Sequence, residues 1–183
     1  MNKDKNLITL ANLNKIEIEG ENFELKEVLG GNGASSFRYE NMEDRENNIF
    51  VKFLISPRNE LELYKFKMES KLLEFTKMKA VKTTPNLLIE GEHKSLPISY
   101  YATEWINGKS LQDIISNLNN PSLDEVLNIV HRCTSSAAYM TSFISHRDFH
   151  PGNIIFLNEE PNWANTEATK RDLVNAKVII TDF

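Results

Sequence analysis

The strand-like and helix-like segments of this chain are segregated, and that order constrains the fold more than any other feature. FELKEVLG (Phe23 to Gly30), SFRYENM and NIFVKFLI read as strands. The first ends in a glycine turn, and the polar turn EDRENN joins the other two. One helical stretch follows, ELELYKFKMESKLLEFTKMK. Its Leu61, Tyr64, Met68, Leu72 and Phe75 recur at 3–4 spacing and are expected to face the core. TTPNLLIEGE and LPISYYATEWI are two further strands. Then come a short helix, SLQDIISNL with Ser110 as N-cap, and a longer one, SLDEVLNIVHRCTSSAAYMTSFI. In the longer helix Ser122 and Glu125 form a capping box, and Val126, Ile129, Val130, Cys133, Ala137 and Met140 mark the apolar face. NIIFL and KVIITDF are short strands on either side of a polar insertion. An antiparallel meander carrying one helix, followed by a mainly helical half, is an α+β order. It is not the alternation that builds a parallel sheet.

With 183 residues the chain can form one domain or two small lobes. Apolar residues at 40% and charged residues at 26% give an ordinary globular balance. The net charge of −5 exerts no general pull toward nucleic acid or an anionic membrane. Lys65, Lys67 and Lys71 read as a solvated helix face. Cys133 is the only cysteine, so no internal disulfide and no cysteine-based metal site can form. Residues 1–22 are polar and read as an extension or an edge strand. They carry no apolar core or cleavage site of a signal peptide. No apolar run reaches the ~18 residues that a membrane helix needs. A cytoplasmic protein is expected.

Four segments carry candidate chemistry. VLGGNGASSF lies between two strands, and its glycines could let backbone N–H groups close on phosphate oxygens. It can equally be a hairpin turn. Because no helix follows, neither a dinucleotide fingerprint nor a Walker loop fits. Lys52 stands inside an apolar strand, between Val51 and Phe53; on an edge strand it can point to water, and burying it calls for an anion. Glu69 can supply one, since it shares a helix face with Phe66 and Leu73. Glu62 is the second candidate. SHRDFHPGN puts Asp148, suited to accept a hydroxyl proton, ahead of Asn153 with four residues between them, and the Asn153 amide oxygen suits a metal. Pro151 and Gly152 bend the chain between them. Asp182 follows a buried-type strand and could make a second metal contact.

Together, and in this order, these segments resemble the protein-kinase family: glycine-rich loop, strand lysine, helix glutamate, H-R-D-x-x-x-x-N, then D-F. HRDFHPGN is similar to the catalytic loop, and TEWINGKSL to the hinge between lobes. The resemblance implies a bilobal fold. Residues 1–22 would be an N-terminal extension, 23–106 a complete N-lobe and 107–183 a partial, mainly helical C-lobe. It implies ATP and Mg²⁺ as cofactors and transfer of the γ-phosphate to a protein hydroxyl, of Ser/Thr type, with neither nucleic acid nor membrane as partner. Lys52 would hold the α- and β-phosphates and pair with Glu69. Gly31, Gly33 and Ser36 would fill the three glycine positions of the loop; the other register uses Gly30, Asn32 and Ser35. Glu104 and Ile106 would offer backbone groups to adenine, with Thr103 as gatekeeper. Asp148 would be the base, Arg147 would bind a phosphorylated activation segment, and Asn153 and Asp182 would hold the metal.

Some residues depart from that pattern. Phe50 stands two before Lys52, where the family usually has alanine, and is expected to crowd the nucleotide. His150 stands where Ser/Thr kinases usually have lysine and aminoglycoside-phosphotransferase-type enzymes often have histidine; those enzymes usually have glycine at the position of Arg147. A small-molecule kinase is therefore the alternative enzyme, and a truncated or pseudokinase nucleotide-binding module the alternative outside catalysis. The sequence stops at Asp182-Phe183, before the glycine of D-F-G. The chain alone is expected to be poorly stable or inactive, with apolar helix surface left uncovered.

Overall fold

Alternation in the first sheet is clearest from Asn48 to Phe53 and breaks at Leu54, which is also buried. Asn48–Ile55 (β4) buries Ile49, Val51 and Phe53 to 1% exposure or less and turns Phe50 and Lys52 to the opposite face. The computed structural model describes residues 14–18, 20–30, 35–92, 97–117, 120–141, 149–157 and 178–181. Its order is Lys15–Ile18 (β1), Glu21–Gly30 (β2), Ser35–Asn41 (β3), β4, Glu60–Met78 (α1), Leu87–Glu92 (β5), Ile98–Glu104 (β6), Gly108–Ser110 (β7), Leu111–Asn117 (α2) and Leu123–Thr141 (α3). A 3-10 turn over Pro151–Asn153 and the strands Ile154–Leu157 (β8) and Val178–Ile180 (β9) follow. The chain is α+β. It divides into two compact units, Met1–Glu74 with Asn86–Trp105, and Phe75–Pro85 with Ile106–Phe183. Among the described residues no helix is long and apolar enough to cross a membrane.

In the first unit six antiparallel strands form one sheet, ordered β1-β2-β3-β4-β6-β5. One apolar cluster draws on Ile16 and Ile18 of β1, Phe37 and Tyr39 of β3, and Ile98 and Ala102 of β6. Laid flat, β1 and β6 would stand about 19 Å apart at the usual strand spacing. Sharing one core therefore requires the sheet to curl, and the two register shifts in β2 supply local twist. The phenol of Tyr39 is fully buried, and that burial pushes its pKa up. Lys15–Ile18 is an edge strand of this sheet, one of the two readings the sequence allows for this segment. Ile16 and Ile18 alternate with Lys15 and Glu17, and Gly20 turns the hairpin at φ 89°, where glycine carries no Cβ penalty.

Helix α1 forms where expected but presents a different face. Leu61, Tyr64, Met68 and Phe75 are exposed, by 60%, 58%, 38% and 37%. Phe66, Glu69, Ser70, Leu73 and Thr76 are buried instead. The helix carries apolar residues all round, so 3–4 spacing admits more than one stripe. Phe66 packs on Tyr101 with ring centroids 5.3 Å apart. The same rotation brings Glu69 to Lys52.

The second unit has a small sheet, β7-β8-β9, under α2 and α3. Leu111, Ile114, Ile129, Cys133, Ile154, Phe156 and Val178 form its core. Phe75–Pro85 belong here because Ile180 N–H donates to the Thr83 carbonyl at 2.8 Å and Val81 and Thr84 are buried. Ser110 caps α2 through the Asp113 N–H, and Ser122 with Glu125 closes the capping box of α3. On α3, Ile129, Cys133 and Met140 are buried, whereas Val126 and Val130 are exposed. They line an apolar groove of about 580 Å³ with Ile115 and Phe149.

Strand β7 has no sequence signature. Gly-Lys-Ser shows no alternation and is a strand only because β8 pairs with it. That pairing requires Gly108: a Cβ there would run into the Phe156 carbonyl oxygen. Gly108→Ala should destabilise the protein by about 1–3 kcal/mol, read as a lower urea midpoint. An unchanged midpoint would mean that β7 can leave β8 at no cost.

Candidate functional site

The best-defined polar centre lies wholly within the first unit. Lys52 Nζ donates to both carboxylate oxygens of Glu69, at 2.8 and 3.0 Å. The two side chains are only 16% and 9% exposed. A lysine inside an apolar strand requires such a partner, because an unpaired buried ammonium is costly. Glu62, the other candidate, is engaged at the start of α1. It accepts from the Arg58 N–H at 2.6 Å, while its own N–H donates to Asn59 Oδ1. On the flank of α1 toward β5, Lys67 pairs with Glu92 and Lys71 with Glu90. The Glu90 hydrogen bond holds the Lys71 ammonium above its usual pKa. These lysines tie the helix to the sheet.

Strand register brings the base of the glycine loop to the same row. Gly30 pairs with Ser36, Ser36 with Lys52, and Lys52 with Tyr101. Ser36 is thus one strand, about 5 Å, from the lysine. Gly31 and Gly33 lie outside the described residues. Phe50 is half-buried on the Lys52 face, with its ring 6.5 Å from that of Tyr101.

The end of β6 is tightly held. The Thr103 hydroxyl donates to the Glu104 carbonyl at 3.1 Å, and the Glu104 N–H donates to the Asn86 carbonyl. The Glu104 side chain accepts from both nitrogens of Asn86. The Trp105 N–H donates to the Asn48 carbonyl, and the Arg38 guanidinium sits 4.7 Å from the centroid of the Trp105 ring. Ile106, half-buried, begins the next stretch of the second unit. The Arg38–Trp105 clamp had no signal in the sequence, since the two residues are far apart along the chain.

In the second unit Asn153 ends the 3-10 turn and is 7% exposed. Its N–H donates to the His150 carbonyl at 3.0 Å. Its carbonyl accepts from the Thr181 N–H at 2.9 Å and from the Thr181 hydroxyl at 3.4 Å. The residue preceding Asp182 is therefore bonded directly to Asn153. Arg147, Asp148 and Asp182 lie outside the described residues. Cys133 is buried, and burial pushes its thiol up to about 11, which makes it a poor nucleophile. Among the described residues no three His, Cys, Asp or Glu side chains gather into a metal site. No family model matches the chain, and no curated protein matches it.

Proposed function

We propose that this chain has a bilobal, protein-kinase-like fold and belongs to an ATP-dependent phosphotransferase of Ser/Thr protein-kinase type. The observation that carries the reading is the buried Lys52–Glu69 pair. A sheet lysine fixed by a helix carboxylate is an oriented cation at a defined spot, suited to phosphate oxygens. Ser36 beside it in register adds the base of a loop able to cover those phosphates, with Gly31 and Gly33. The backbones of Glu104 and Ile106 would meet adenine. Asp148 would accept the proton of the attacking hydroxyl, and Arg147 would bind a phosphorylated segment.

Asn153 and Asp182 would hold Mg²⁺. An amide oxygen and a carboxylate are the hard oxygen donors that this ion takes. The Thr181–Asn153 bonds favour joint use of these two residues. Bound Mg²⁺ would neutralise charge on the phosphates. The proposed place of action is the cytoplasm, and the proposed partners are ATP and a protein hydroxyl.

The test is to incubate the protein, as its gene encodes it, with Mg·ATP labelled at the γ-phosphate, together with protein acceptors and soluble hydroxyl compounds. Label is expected on Ser or Thr of protein. Label on a soluble compound alone would transfer the assignment to a small-molecule kinase. ATP binding without transfer would leave a binding module, and absence of ATP binding would overturn the reading.

A further inference from the structure

Histidine is an uncommon helix cap, yet His150 caps the turn that carries Asn153. Its backbone is extended, at φ −138° and ψ 164°, as an N-cap residue requires. Its Nδ1 accepts from the Gly152 N–H at 3.1 Å. Nδ1 is bonded to Cγ, as the amide oxygen of asparagine is, so the ring offers an acceptor at the position an asparagine cap would use. The ring also lies across Gly152: a Cβ there would stand 2.7 Å from His150 Cε1 and 3.0 Å from Nδ1. Glycine at 152 therefore leaves the room that the imidazole occupies. One bond further on, the His150 carbonyl accepts the Asn153 N–H, while Thr181 holds the Asn153 carbonyl.

We propose that His150 is a positioning residue: through its Nδ1 cap it fixes the Pro151–Asn153 turn and so the aim of the Asn153 amide. It acts through Asn153, not on substrate. The consequence for metal and nucleotide rests on the phosphotransferase reading above; the cap itself does not. In this view the histidine is present as a hydrogen-bond acceptor of the right reach.

The test uses the full chain with three single substitutions and one double. Amide hydrogen exchange by NMR reads the Gly152 and Asn153 N–H groups, and calorimetry reads Mg·ATP affinity. His150→Ala should speed exchange at both amides and weaken Mg·ATP about fivefold, the worth of one ordinary hydrogen bond. His150→Asn should restore both. Gly152→Ala should reproduce the loss, because its Cβ displaces the ring, and should add little in the His150→Ala background. Unchanged exchange in His150→Ala, or failure of asparagine to restore it, would overturn the proposal. If the parent protein does not bind Mg·ATP, the phosphotransferase reading falls and the exchange data alone decide whether His150 holds the turn.

Discussion

Lys52→Met should lower the unfolding free energy by about 3–5 kcal/mol, the usual cost of leaving one partner of a buried ion pair unmatched. Glu69 is the stranded group, with its side chain only 9% exposed. The double variant Lys52→Met/Glu69→Leu should recover most of that loss, since two apolar residues of similar volume need no partner. Equilibrium urea unfolding of the parent, both single variants and the double gives the coupling directly. A loss below about 1 kcal/mol would class the pair with surface ion pairs. The double variant also separates structure from chemistry. It should be folded and yet bind Mg·ATP weakly and transfer no phosphate. A stable double variant that retained nucleotide affinity would leave Lys52 a structural residue only.

The same pair explains what the sequence could and could not reveal. Asn48–Ile55 is legible as a strand from its short apolar run, although its burial alternates only from Asn48 to Phe53. Lys52 was conspicuous because it broke an apolar strand, and the need for an anion narrowed its partner to Glu69 or Glu62. The face of α1 was not legible. Leu61, Tyr64, Met68 and Phe75 have helical spacing, but a helix apolar all round can turn several stripes inward. Its rotation is set by contacts distant in sequence, Phe66 on Tyr101 and Glu69 on Lys52. Strand β7 left no trace because pairing with β8, not pattern, makes it a strand. The His150 cap was missed for a chemical reason. Capping signatures are written for Ser, Thr, Asp and Asn, and an imidazole nitrogen meets the same need without matching them.

In the protein as its gene encodes it, Asp148→Asn should lower the rate of phosphate transfer by about 10²–10⁴-fold, the usual contribution of a positioned general base. The substitution keeps the shape and hydrogen-bonding reach of the side chain but removes its capacity to accept a proton. Binding should therefore separate from chemistry: kcat falls while Mg·ATP affinity stays within about twofold. Asn153→Ala should behave differently, because an amide that holds a metal contributes to nucleotide binding before any proton moves. It should weaken Mg·ATP and show the larger loss at low Mg²⁺, with partial recovery as Mg²⁺ rises. The contrast depends on the two residues having separate duties within one short loop. Equal effects of both substitutions on binding and rate would mean that the loop acts as a structural unit. A rate unaffected by Asp148→Asn would remove the proposed base, and the phosphotransferase assignment of HRDFHPGN with it.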